Sequence, residues 1–204
     1  MPSLRTIGIL GGSFNPAHEG HLQLSHEAIK ALGLQEVWWL VSPQNPLKPK
    51  EGMGSFSERF TSAQRIAKKH GRIHVCDFEN RMDTRYTADT LRKLIKTHRN
   101  IRFVWLMGAD NLVQIDQWQE WHTLFEHVHI AVYDRKPHTF KALSGKAART
   151  YAKQRVDPKL LLHSSLPAWC FIHGKRHALS ATFIRNLLGS NTFLRHNKDA
   201  VKDK

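Results

Sequence analysis

Six short runs rich in β-branched, aromatic and aliphatic residues recur along the chain, with helical patterns between them, and this alternation restricts the fold more than any other feature. The runs fall at 6–10, 36–41, 72–78, 101–107, 129–133 and 169–173. Helical periodicity covers 19–32, 56–70, 88–98, 142–155 and 181–188, and Gly33, Gly71 and Gly189 follow three of these stretches as stop signals. Strands separated by helices pair in parallel, because the helix carries the chain back to its starting edge. Right-handed crossovers on both faces then predict a doubly wound, Rossmann-like α/β sheet whose ligands sit at the carboxyl ends of its strands. One domain over 1–193 is expected, followed by a polar, basic tail over 194–204.

The two cysteines, Cys76 and Cys170, are far apart in sequence and form no Cys-x-x-Cys, so neither a disulfide framework nor a thiolate metal site is indicated. Apolar stretches such as 37–41 are far too short to span a bilayer, and the amino terminus lacks a signal-peptide core. A soluble, cytoplasmic protein is expected. The formal net charge of +14, from 31 Lys and Arg against 17 Asp and Glu, favours an anionic partner without choosing one. No nucleic-acid motif accompanies the basic clusters, which read first as a solvated face.

The first strand runs into "GGSFNPAHEGH", residues 11–21. This is neither the Gly-Lys-Ser/Thr ending of a P-loop nor the Gly-x-Gly-x-x-Gly of a dinucleotide fold. What remains is a tight turn at Gly11 and Gly12 that leads through Ser13, Phe14 and Pro16 into a helix with His18 and His21 three apart on one face. Exposed N–H groups at a helix start favour phosphate, and imidazole adds directional donors. A His-x-x-His pair can also ligate zinc, although a metalloprotease helix spaces its histidines by four with a glutamate beside the first. A structural pair of helix-start histidines is the third reading.

"GGSFNPAHEGH" and "LSATFIR" (179–185) resemble the two signature motifs of the nucleotidylyltransferase superfamily with its His-x-Gly-His motif. "SPQNPLKPK", "YTADTL", "GADN" and "WQEW" are similar, in the same order, to landmarks of its bacterial nicotinate-nucleotide adenylyltransferase branch. The resemblance covers about residues 7–188. It implies adenylyl transfer from ATP to nicotinate mononucleotide, which yields deamido-NAD and pyrophosphate in NAD biosynthesis. It also implies Mg2+ carried mainly by the ATP phosphates, with no protein ligand assigned to the metal.

The resemblance sets His18 and His21 against the ATP phosphates, with Ser13 and the backbone N–H groups of Gly11–Phe14 lining the turn. Ser180 as a helix cap, Thr182 in the first turn and Arg185 on the same face complete the phosphate cradle, where an ordinary capped helix is the alternative. Gly108 and Asp110 would meet the adenosine part of ATP, unless Asp110 only caps its helix. Lys48 can pair with the acceptor phosphate, Trp118 can stack on the pyridine ring while Trp121 packs, and the helix start at Tyr86 and Thr87 can receive the nicotinate carboxylate. Asn15 stands where many relatives carry aspartate, and Ala181 where serine is common. The partners expected are ATP and nicotinate mononucleotide, with self-association left open and neither membrane nor nucleic acid expected. Alternatives are another adenylyltransferase, acting on nicotinamide mononucleotide or pantetheine phosphate, or a basic nucleic-acid-binding protein.

Overall fold

Strand β1 (Arg5–Gly12) lies between β2 (Glu36–Val41) and β4 (Ile101–Gly108) and is buried through its middle, residues 7–10, as a strand covered on both faces must be. A computed structural model of the chain describes residues 4–43, 51–135 and 137–173. β3 (Ile73–Cys76) extends the sheet beyond β2, while β5 (His129–Tyr133) and β6 (Trp169–Ile172) extend it beyond β4. The order is β3-β2-β1-β4-β5-β6 and every pairing is parallel. The direction of winding therefore reverses between β1 and β4, which opens a crevice at their carboxyl ends.

Alternation along the strands feeds two cores. Ile7, Ile9, Trp105 and Met107 face one, against Leu91 and Leu94 of α4 (Thr87–Thr97), Leu112 of α5 (Ala109–Gln114) and Phe125 of α6 (His122–His127). Leu10, Trp39, Val41 and Leu106 face the other, against Leu22, Ile29 and Leu32 of α1 (Glu19–Leu32) and Ala63 and Ala67 of α2 (Phe56–Ala67). α1 ends at Gly33 in the left-handed region, φ 65°. Ser55 and Glu58 form a capping box at the start of α2.

The structure corrects the expected elements at several points. α2 stops at Ala67, short of 70, and β3 is shorter than 72–78 because Phe78 already begins the short helix α3 (Phe78–Arg81). The stretch 142–155 is not one helix: α7 (Thr139–Ser144) and α8 (Lys146–Thr150) are parted by Gly145, whose extended backbone (φ −69°, ψ 167°) leaves the helix, and a 3-10 turn follows at Ala152–Gln154. Glycine is a poor residue to carry a helix through such a point. The expected helix over 181–188 and the tail over 194–204 lie outside the described residues. No helix among the described residues is long and apolar enough to cross a membrane.

Candidate active site

The turn that follows β1 and the start of α5 after β4 flank the crevice between these two strands. Gly11 and Gly12 close β1, and the turn after them buries Ser13, Phe14 and His18. Phe14 adopts φ 46°, which a residue with a side chain rarely takes. Its ring packs on His21, at a centroid distance of 4.7 Å, and on Trp39, at 5.1 Å, and those two rings lie 5.8 Å from each other. Trp39 Nε1 donates to Ser25 Oγ (2.8 Å), which donates to the carbonyl of His21 (2.8 Å), so strand β2 braces the first turn of α1.

His18 and His21 form the cap of α1. His18 Nδ1 accepts from the N–H of Gly20 (3.1 Å), the N–H of His18 donates to His21 Nδ1 (3.2 Å), and the ring centroids lie 3.9 Å apart. Because each Nδ1 accepts a backbone proton, the neutral tautomer of both rings carries its own proton on Nε2. Two imidazole N–H donors thus belong to one helix start, where the backbone dipole is also positive. Ser13 Oγ is buried with no hydrogen-bond partner among the described residues.

On the opposite wall β4 ends at Gly108. A Cβ there would run into Oδ1 of Asp110 and lie 3.5 Å from Arg135 Cδ, so the glycine makes room for the Asp110 carboxylate. Asp110 Oδ2 accepts from Arg135 Nη1 (3.1 Å), while Oδ1 is buried without a partner among the described residues. Asp110 is thus not spent as a helix cap: α5 has Gly108 as its cap residue and no side-chain cap bond. Arg135 was not anticipated from sequence.

Tyr86, Thr87 and Trp118 lie on the α4 face of the sheet. Tyr86 is the cap residue of α4, extended and without a side-chain cap bond, and Thr87 is the first helical residue. Trp118 is half-buried against the core that includes Leu91 and Leu94. Trp121 is buried and meets Phe125 and Tyr151 edge-on, at 5.9 Å in each case. The ion pair between Arg92 and Glu120, with Arg92 also donating to Thr123 Oγ1 (3.2 Å), ties α4 to this segment. Asp89 pairs with Arg92 and Thr90 Oγ1 donates within the helix start, as expected of residues that serve the helix.

Two buried groups had no sequence signature of function. Arg59 donates to four backbone carbonyls around the turn, and its one sequence signal is its position on the face of α2 that also carries the small residues Ser62, Ala63 and Ala67. Glu79 on α3 has its carboxyl pushed up to about 7 by burial, against the opposing pull of the Ser42 and Thr90 side chains. Lys48, Ser180, Thr182 and Arg185 lie outside the described residues.

A family model described as cytidylyltransferase-like matches residues 9–187. A protein of Parvibaculum lavamentivorans named "Probable nicotinate-nucleotide adenylyltransferase" is 50% identical over 187 residues, 90% of this chain and 92% of that protein. A Bradyrhizobium protein with the same name is 46% identical over 90% of this chain and 97% of its own length. The solved structure of Plasmodium falciparum nicotinic acid mononucleotide adenylyltransferase complexed with NaAD shares the fold, with a TM-score of 0.69 at 18% identity over 96% of this chain and 89% of that one.

Proposed function

Because the chain belongs to the cytidylyltransferase-like family, among its nicotinate-nucleotide adenylyltransferases, we infer that it transfers the adenylyl group of ATP to nicotinate mononucleotide. The acceptor's phosphate oxygen forms a bond to the α-phosphorus of ATP, the bond from that phosphorus to the bridging oxygen breaks, and pyrophosphate leaves with the electron pair. The products are nicotinate adenine dinucleotide and pyrophosphate. No covalent enzyme intermediate is needed, so the protein's task is alignment and stabilisation of charge.

The observation that carries the site assignment is the paired cap at His18 and His21, whose Nδ1 atoms are engaged with the backbone. Their Nε2–H donors suit the oxygens of a triphosphate as negative charge builds on the leaving pyrophosphate. Ser13 Oγ and the N–H groups of Gly11–Phe14 join them in this proposal. Asp110 Oδ1 accepts a ribose hydroxyl, Trp118 stacks on the pyridine ring, and the N–H groups at Tyr86 and Thr87 receive the nicotinate carboxylate. Lys48, Ser180, Thr182 and Arg185 keep the phosphate-binding roles that the motif resemblance implies. Mg2+ comes with the triphosphate, neutralising part of its charge. The imidazoles present N–H donors rather than lone pairs, which fits an anion better than a protein-bound metal. The reaction is placed in the cytoplasm, in keeping with Cys76 and Cys170 as free thiols.

The test is pyrophosphate release from Mg-ATP with a panel of acceptors: nicotinate mononucleotide, nicotinamide mononucleotide and pantetheine phosphate. Release together with dinucleotide is expected with the pyridine mononucleotides alone. Failure to form either product would end the enzyme reading.

A further inference from the structure

Arg59 is 1% exposed, and its guanidinium sits where three chain segments meet. Nη1 donates to the carbonyls of Ser13 (2.6 Å) and Ser42 (2.8 Å), Nη2 to that of Pro43 (2.8 Å) and Nε to that of Gly54 (2.9 Å). These acceptors belong to the turn after β1, the exit of β2 and the approach to α2. Taking a guanidinium out of water is costly, and on a helix face otherwise lined by small residues a space-filling apolar side chain would avoid that cost.

We propose that Arg59 is a positioning residue for adenylyl transfer, setting the orientation of the Ser13–Phe14 peptide and so of the Phe14 N–H in the phosphate turn. The proposal rests on the adenylyl-transfer reading above. In a trans peptide the C=O and N–H point in opposite directions, so holding Ser13 O on the guanidinium turns the Phe14 N–H away from it. Phe14 stands at φ 46°, where the backbone gains little from its own preferences and needs outside support. Asn15 supplies a second tie: its Nδ2 donates to Gly52 O and its Oδ1 accepts from Gly54 N, both at 3.1 Å. Both ends of the connection between β2 and α2 are thereby fixed to the turn that would hold ATP.

Arg59→Lys and Arg59→Gln in the full chain test the assignment, with kinetics read for each substrate separately. A misplaced phosphate turn is expected to lower kcat/KM for ATP by about 10-fold to about 100-fold, while KM for nicotinate mononucleotide changes by less than about twofold. In nitrogen-labelled protein the Phe14 amide resonance should move on adding ATP to the wild type, and move much less in Arg59→Lys. Should Arg59→Gln not fold, Arg59→Lys carries the same comparison, since it keeps a cation in place. A wild-type Phe14 resonance unmoved by saturating ATP would overturn the proposal, as would an Arg59→Lys protein that loses thermal stability but keeps both kinetic constants. If the wild type transfers no adenylyl group, the reaction assignment fails by itself, and the Phe14 shift with ATP alone still reports on Arg59.

Discussion

A Cβ placed on Gly11 would stand 2.7 Å from Cη2 of Trp105 and 2.9 Å from its Cζ2. The indole of β4 therefore lies flush on the β1 backbone one residue before the strand ends. Trp105 is buried, so Gly11→Ala is expected to push β1 and β4 apart at the mouth of the crevice. A loss of about 1–3 kcal/mol in unfolding free energy is expected, the scale of overpacking, together with a fall in turnover. Denaturant unfolding and steady-state kinetics measure both; an unchanged stability would mean that the indole can move.

His21 has a structural part in the cap of α1 beside the catalytic part proposed for it. Sequence alone suggests that His21→Ala leaves thermal stability nearly untouched, but the ring closes the cap of α1 and packs on Phe14, so a loss of about 1 kcal/mol is expected as well. Turnover should fall by about 100-fold or more, as when a preorganised donor to developing charge is removed. Glutamine can accept the same backbone proton, so His21→Gln should regain most of the stability without the turnover. Recovery of both would reduce His21 to a cap.

The two tryptophans of "WQEW" should separate cleanly. Trp118→Ala is expected to raise KM for nicotinate mononucleotide several-fold more than KM for ATP, an aromatic contact being worth about 0.5–1.5 kcal/mol. Trp121→Ala, which empties a buried site among Phe125 and Tyr151, should cost about 3–5 kcal/mol of stability. Equal kinetic effects on both substrates at position 118 would remove Trp118 from the acceptor pocket.

Recognition of the nicotinate carboxylate by backbone donors predicts a preference for the acid over the amide mononucleotide of at least about tenfold in kcat/KM, because an amide would set its own NH2 against like groups. Thr87 is the first residue of α4, a position where proline is tolerated, so Thr87→Pro deletes one N–H without breaking the helix. That variant should lose much of the preference and Thr87→Ala little of it. Competition between the two mononucleotides reads the ratio directly, and equal constants in the wild type would reject the carboxylate assignment.

Glu79 carries a pH signature of definite sign. Burial raises its carboxyl from 4.5 in the unfolded chain to about 7 in the folded one. Between those values the folded chain keeps a proton that the unfolded chain has released. Stability from this group is therefore fully present below about 4.5, declines as pH rises, and is lost above about 7, a cost of about 3 kcal/mol. Glu79→Gln removes the titration, so its stability relative to wild type should improve steadily from about pH 5 to about pH 8 by chemical denaturation. A difference independent of pH would show that Glu79 is ionised throughout.

Much of this was legible in advance, for identifiable reasons. Buried parallel strands leave short apolar runs such as the one ending at Val41, and their alternation with helices reads as a doubly wound parallel sheet. The position of His18 and His21 at a helix start was legible because the glycine turn ends the first strand just ahead of an amphipathic run. What escaped were properties made by distant parts of the chain. That both Nδ1 atoms are engaged depends on cap geometry. The burial of Glu79 depends on where α3 settles against β2 and α4. Arg59 reads in sequence as one more charge on a basic protein, and only its companions Ser62, Ala63 and Ala67 hint that it faces inward. Gly145 misled in the other direction, since helical periodicity runs through it while the backbone does not.

Every acceptor of Arg59 among the described residues is a main-chain carbonyl, and all twenty residue types supply one. Mutational drift at 13, 42, 43 or 54 can change the side chain without removing the acceptor, so the constraint exerted by this contact falls on position 59 alone. Such a contact leaves no correlated changes for covariation methods to detect. A lineage could remodel the surroundings of the turn extensively while this internal brace passed unaltered, its history written in a single column.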